Sequence, residues 1–385
     1  MRLPIQKLDL PRLIRKYWNN KKGISKQQFY FLAIFIVTGI LYRYIANDNY
    51  LVCTEKGISI QVSKDQCTSG IKALIPYSAH TIDKKNRSVG PFDKQDISSL
   101  YYRHWLGTDL LGRDVLAGLI WGSNVALRVG IFASLISLII GLLMGYLSGY
   151  IGDDTFKIYK WQLIVTILLL LLAIFYLTYA SGIVKWLFSV ALILWSIFLL
   201  VVNDSAYMGK DKITIPFDII ISRIIEVFRA VPDIFIVLVL VSLFKKASLV
   251  NVVIIIAIIK WPSIARFLRA EILKLKKADH VLAAKSIGLG RTYIFRKNIL
   301  PLAFSPILIS LAFGFSGTIL LESALSFLGI GIPIDEVTWG SILNEARSEF
   351  SSWWLALFPG IAIYLTIRLF HSIGNSLNEK LIGNK

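Results

Sequence analysis

Charge is scarce in this chain: Asp, Glu, Lys and Arg make up 17% of its 385 residues, where a soluble domain carries about 25%. That deficit, with a hydrophobic content of 55% and a mean hydropathy of +0.64, excludes a soluble globular protein. Disorder is excluded as well, because 22 Phe, 16 Tyr and 10 Trp offer far more apolar surface than an unfolded chain carries. Cysteine is nearly absent. Cys53 and Cys67 are the only two, too few for a thiolate metal cluster or a disulfide-dense fold. His80, His104, His280 and His371 are scattered, with no HExxH pair, so no metal site is expected. No GxxxxGK(S/T) loop occurs, so this chain does not hydrolyse a nucleotide by the P-loop route.

What is present is a series of long uncharged runs. A helix needs about 20 apolar residues to cross the hydrocarbon of a bilayer. Val129–Gly152, Trp161–Val184, Trp186–Asn203, Pro301–Leu321 and Phe350–Ile367 contain no charged residue. A further helix is expected over residues 29–46, with Arg43 snorkelling at its end, and two more between Phe217 and Leu268, separated by Lys245 and Lys246. The expected fold is therefore all-α and polytopic, with about eight transmembrane helices.

Lys plus Arg number 42 against 24 Asp plus Glu. Cytoplasmic loops of membrane proteins collect such basic residues, and no basic run sits on a soluble module, so nucleic acid is not an expected partner. Residues 1–28 hold a single acid, Asp9, among many Lys and Arg. This predicts a cytoplasmic N-terminus followed by a signal-anchor helix, and an even number of spans returns the C-terminus to the same side. Residues 47–105 then form a large extracytoplasmic loop. That loop is itself more basic than acidic, but the charge rule weakens at about 60 residues. An oxidising compartment leaves room there for a Cys53–Cys67 disulfide.

Several segments carry more than hydropathy. Gly141, Gly145 and Gly149 recur every four residues, which lets two helix backbones approach closely in lipid; packing inside the bundle is preferred over a dimer seam. Thr108 or Asp109 is expected to cap the helix that follows, and Asp109 and Arg113 to pair four residues apart. Arg223, Glu226, Arg229 and Asp233 fall on one face of the expected fifth helix, beside a kink at Pro232. Arg229, Asp233 and Glu322, as charges at membrane depth, are candidates for a translocation path or gate. Finally, Ala278–Gly288 predicts a short helix stopped by Gly288 or Gly290. Ala283 and Ala284 have almost no side chain, which would let it seat deep in a groove on a partner.

This last segment resembles the EAA loop of ABC-importer permeases, EAAxxxG followed after nine residues by IxLP. Ala283, Ala284, Gly288, Leu300 and Pro301 match, whereas Leu282 stands in place of the Glu and Asn298 in place of the first Ile. His104 to Asp109, Gly112-Arg113-Asp114, Trp261-Pro262-Ser263 with Ala265-Arg266, Leu325 to Gly329, Trp339-Gly340 and Phe358-Pro359-Gly360 together resemble the C-type permease subunit of dipeptide, oligopeptide and nickel importers. The resemblance spans roughly residues 28–375 apart from one insertion. Asn375 follows Gly374 where the family has an acid, and the basic tail is reduced to Lys380 and Lys385.

The resemblance implies a six-helix permease core over 106–155 and 215–375, interrupted by an inserted two-helix transmembrane hairpin at 156–214. Residues 376–385 would form a cytoplasmic tail. It implies a bacterial inner-membrane subunit that forms half of a pore beside a B-type permease. Two ATP-binding subunits would dock on the EAA-like loop, and an extracytoplasmic substrate-binding protein would deliver the solute. The chain would hold no cofactor and perform no covalent chemistry, with ATP and Mg on the partner subunits. The Glu missing at Leu282 would weaken or alter coupling unless Asp279 compensates for it. The rival classes are a secondary transporter or membrane enzyme, which would need convergent ionisable groups or inverted repeats, and an ABC system for export or lipoprotein handling.

Overall fold

The computed structural model describes residues 26–53, 59–62, 70–153, 157–179, 183–201, 212–244, 247–333 and 335–382. The chain is mostly helical. Helix α1 spans Lys26–Ile45, and a three-stranded antiparallel sheet follows, with β1 (Tyr50–Cys53) between β2 (Ser59–Val62) and β3 (Gly70–Lys72). An all-α expectation missed this sheet. Cys53 closes β1, while Cys67, and with it the disulfide, lies outside the described residues.

Helix α2 spans Val115–Tyr146 and runs on through a π turn, Leu147–Ile151. Its cap is Asp114, whose carboxylate accepts the Ala117 N–H at 3.3 Å, and not Thr108 or Asp109. Those two are instead spent inside the preceding loop. Thr108 donates to the Asn86 carbonyl, and Asp109 accepts the N–H groups of Leu111 and Arg113.

The glycine stripe of α2 meets α7 (Leu249–Leu275). A Cβ on Gly141 would stand 2.7 Å from Ile264, one on Gly145 2.9 Å from the Ala265 carbonyl oxygen, and one on Gly149 3.1 Å from the Arg269 backbone. Only residues without side chains allow this approach, so the stripe is an internal seam. Ser137 crosses the same seam to the Ala257 carbonyl at 3.2 Å. Val125, Val129, Ile255, Ile256 and Leu325 fill the core beside it.

Between α2 and α7 the chain builds a hairpin and a broken helix. Helices α3 (Lys160–Tyr179) and α4 (Ile183–Val201) pack on each other, with Tyr176 stacked on Phe188 and Ser189 donating to the Ala173 carbonyl. Lys185 lies in the first turn of α4. Strands β4 (Lys157–Tyr159) and β5 (Lys212–Thr214) pair antiparallel at the hairpin's base. The expected fifth helix is two helices, α5 (Phe217–Ala230) and α6 (Asp233–Leu243). Val231 is extended at φ −102°, ψ 129°, as the residue before a proline prefers. A kink was expected at Pro232; the helix instead breaks, so Arg223, Glu226, Arg229 and Asp233 do not share one continuous helical face.

The remainder comprises α8 (Asp279–Ser286), α9 (Arg291–Ile294) with a π turn at Phe295–Ile299, α10 (Leu300–Phe327), α11 (Trp339–Glu345) and α12 (Trp354–Ile382). Phe315 and Phe370 stack at 4.0 Å between α10 and α12. Among the described residues, five helices are long and apolar enough to cross a membrane: α1, α2 with its π turn, α7, α10 from Pro306 onward, and α12 to Glu379. Shorter apolar stretches lie in α3, α4 and α6. The bundle has two distinct ends. Residues 70–114 and 328–353 meet at one, the sheet end; residues 276–299 and the C-terminal turn of α2 meet at the other, the loop end.

Candidate functional site

At the loop end, α8 is closed by two hydrogen bonds that overlap, Gly288 N–H to the Lys285 carbonyl and Leu289 N–H to the Ala284 carbonyl. This Schellman arrangement requires a left-handed residue, and Gly288 has φ +77°. The two alanines of the motif face opposite ways. Ala284 is 5% exposed and packs with Val281, Ile294 and Ile299 into the protein's own core. Ala283 is exposed, as are Leu282 (47%), Ile287 (73%), Leu289 and Tyr293. Of the two alanines only Ala283 is therefore available to a partner, contrary to the expectation for both. Asp279 sits in the first turn of α8, where a carboxylate suits the helix dipole.

Two ties fasten this loop to α2. The Lys276 ammonium donates to the Gly149 and Tyr150 carbonyls at 3.1 and 3.0 Å, satisfying acceptors that the end of a helix leaves free. The Tyr150 hydroxyl donates to the Arg291 carbonyl at 2.7 Å, and Tyr146 and Tyr150 both pack on Phe295. The π turns of α2 and of residues 295–299 thus touch directly. Leu300 and Pro301 open α10 immediately after, Pro301 at a position where its missing N–H costs nothing.

The candidate path residues do not form one group. Asp233 pairs with Lys260 of α7 at 3.0 Å, and Arg223 with Glu226 at 2.7 Å. Arg229 is exposed and belongs to no ion pair among the described residues. Glu322 stands apart. It is 1% exposed and accepts from Ser326 at 2.8 Å and Ser323 at 3.2 Å. Gly340 presses on the same stretch of α10, where a Cβ would fall 2.2 Å from the Ser323 carbonyl oxygen. Glu322 is thus walled into the α10–α11 contact.

The sheet end holds a polar cluster that sequence spacing revealed only in part. Asp109 pairs with Arg113 as its spacing suggests, and Arg113 also binds Glu345, 232 residues away. Burial chiefly, and then the Asp109 charge, push the Glu345 carboxyl up to about 7, with Arg113 acting against them. His104, fully buried, lies between Asp83 and Asp114 at 3.4 and 3.5 Å and stacks on Tyr77. Burial works to raise the Asp83 carboxyl, but hydrogen bonds from Asn86, the Lys85 N–H and His104 hold it below its ordinary range.

Glu345 gives a pH prediction. A carboxyl that titrates higher in the folded state binds a proton that the unfolded chain has released. Stability therefore declines as pH rises from about 4.5 to about 7 and is level above that. The melting temperature of the detergent-solubilised protein should fall across this window, and Glu345→Gln should flatten the fall. An unchanged slope in the variant would rule the explanation out.

The comparisons with known proteins span the loop and its flanking helices. Residues 205–382 match the family model of the binding-protein-dependent transport system inner membrane component. A dipeptide transport system permease protein, DppC, of Alkalihalophilus pseudofirmus is 28% identical over 279 residues, which cover 72% of this chain and 71% of the relative. The glutathione transport system permease protein GsiD of Pectobacterium atrosepticum is 28% identical over 310 residues, covering 80% and 79%. Among solved structures, the MetNI methionine ABC transporter in an inward-facing conformation aligns at 14% identity and a TM-score of 0.38, over 67% of this chain and 96% of its own. The chain is a multi-pass permease subunit of an ABC importer, and its residues 205–382, just under half of it, match the binding-protein-dependent transport inner membrane component family.

Proposed function

We propose that this permease forms half of a peptide-conducting pore beside a B-type permease. Two ATP-binding subunits dock at the loop end, and a substrate-binding protein delivers the solute at the sheet end. The loop end and both termini then face the cytoplasm. The observation that carries this reading is α8: a short helix anchored from beneath by Val281 and Ala284 that presents Ala283, Leu282 and Ile287 outward. The names of the relatives, dipeptide and glutathione permeases, support peptides as the solute. The chain itself holds no cofactor; ATP and Mg act on the partner subunits. ATP-driven closure of those subunits displaces α8, and the ties through Lys276 and Tyr150 carry the displacement into α2. Ligand-driven transitions of this kind need only a few kcal/mol of differential binding.

The test is purification with co-expressed partners, reconstitution into liposomes, and uptake of labelled dialanine. Uptake that requires ATP and the binding protein is expected. A chain that retains no ATP-binding subunit and supports no uptake would refute the proposal.

The hairpin 156–214 is a peripheral insertion on this reading. Its helices expose apolar side chains such as Leu168, Leu171 and Leu194, which suits lipid or a membrane partner rather than a watery path. Excising 156–214 with a short polar linker should leave the remaining spans correctly oriented and the ATP-binding subunits bound. Labelling of cysteines placed at Ser248 and Asn378 reads the orientation, and a change of side at either would show that the hairpin belongs to the core.

A further inference from the structure

Helix α7 carries charge at a depth where lipid does not tolerate it. Lys260 lies 15 residues before the end of this 27-residue helix, close to mid-membrane at about 1.5 Å per residue. Lys260, Ser263, Arg266, Phe267 and Ala270 fall within one arc of the helix at 100° per residue. Lys260 is half-buried and the other four are exposed. Across from it, the break at Val231 and Pro232 places Asp233 on Lys260, and Arg229 stands exposed one turn earlier in the chain. Such residues inside a span normally face water or another polar surface.

The signs do not balance. Asp233 is engaged by Lys260, which leaves Arg229, four residues before Asp233, and Arg266, on the Lys260 arc of α7, without an acidic partner among the described residues. Resting on the permease reading above, we propose that Arg229, Lys260 and Arg266 form the positive wall of the solute path. There they attract the carboxylate end of a passing peptide. The Asp233–Lys260 pair also opens at the helix break, so that Lys260 can exchange its partner for the solute carboxylate while Asp233 becomes free for the solute ammonium. A zwitterionic peptide matches this set; an uncharged or cationic solute does not.

The accessibility of Ser263 provides the test, in the assembled complex with Cys53 and Cys67 replaced by Ser. Ser263→Cys is modified with an anionic sulfonatoethyl and a cationic trimethylammonioethyl methanethiosulfonate, with and without ATP. Focusing by a positive wall should favour the anionic reagent by about tenfold. Lys260→Met and Arg266→Gln should each reduce that preference several-fold, while Lys260→Arg should retain it. Trialanine at high concentration should protect Ser263→Cys more than its C-terminal amide does. Modification without charge preference would overturn the proposal. So would equal protection by the two peptides, or no modification in either nucleotide state, which would mean that protein or lipid covers the face. Dialanine uptake by the unmodified complex reports separately on the permease reading, so the two failures are distinguishable.

Discussion

Replacing Ala283 by Trp should abolish ATP-driven uptake while the protein still reaches the membrane in normal amount. Ala283 is exposed on α8, so the larger side chain meets no neighbour within the chain and spoils only a surface that a partner would cover. Bulk at the centre of a docking surface costs about 2 kcal/mol or more, a weakening of roughly thirtyfold. Ala284→Trp would be a poor test, because Ala284 is buried in the protein's own core and overpacking there damages the fold. Gly288 provides an independent variant. No atom stands within 4 Å of a Cβ built there, so Gly288→Val fails through backbone conformation alone, at a cost of roughly 1–2 kcal/mol, and should also depress uptake. Gly288→Asn, which tolerates the left-handed region, should retain more activity. Normal uptake by both Ala283→Trp and Gly288→Val would show that α8 is not the coupling element.

Gly340→Ala should lower stability more than any surface substitution in the chain. The added methyl would sit 2.2 Å from the Ser323 carbonyl oxygen and 3.0 Å from the Phe327 nitrogen, both backbone atoms of α10. Neither can swing aside as a side-chain tip would. Helix α11 must lift, and Trp339 lifts with it, losing its bond to the Leu119 carbonyl and its seat over Gly122. Overpacking of this kind costs about 3 kcal/mol or more. Thermal melting in detergent should show the loss, whereas Gly360→Ala, with nothing within 4 Å, serves as the control. Equal melting temperatures for the two would mean that the α10–α11 contact is loose.

Five of the expected spans were legible because lipid demands uncharged runs, and the glycine stripe because its spacing matches a helix face. What the stripe packs against was not legible, since α7 begins about a hundred residues later. The same limit hid Glu345, which Arg113 reaches only through the fold. Sequence cannot say which of two adjacent alanines faces inward, because that depends on the tilt of α8 over Ile294 and Ile299. Pro232 was read as a kink; the break follows from Val231 and Pro232 both being extended, with Asp233 starting a new helix on its bond to Lys260. The small sheet after α1 was missed because its strands are only three or four residues long, shorter than any alternation that would announce them.

The seam between α2 and α7 has a mechanical consequence. Backbones held this close by Gly141, Gly145 and Gly149 cannot slide along each other, because Ile264, Leu268 and Ile272 rest where the glycine side chains would be. Lys276 pins the pair at one end. The two helices must therefore turn as one rigid lever running from the loop end to the sheet end. Cross-linking α2 to α7 through cysteines at Ser137 and Ala257 should leave uptake intact; a cross-linked complex that no longer transports would show that the two helices move separately.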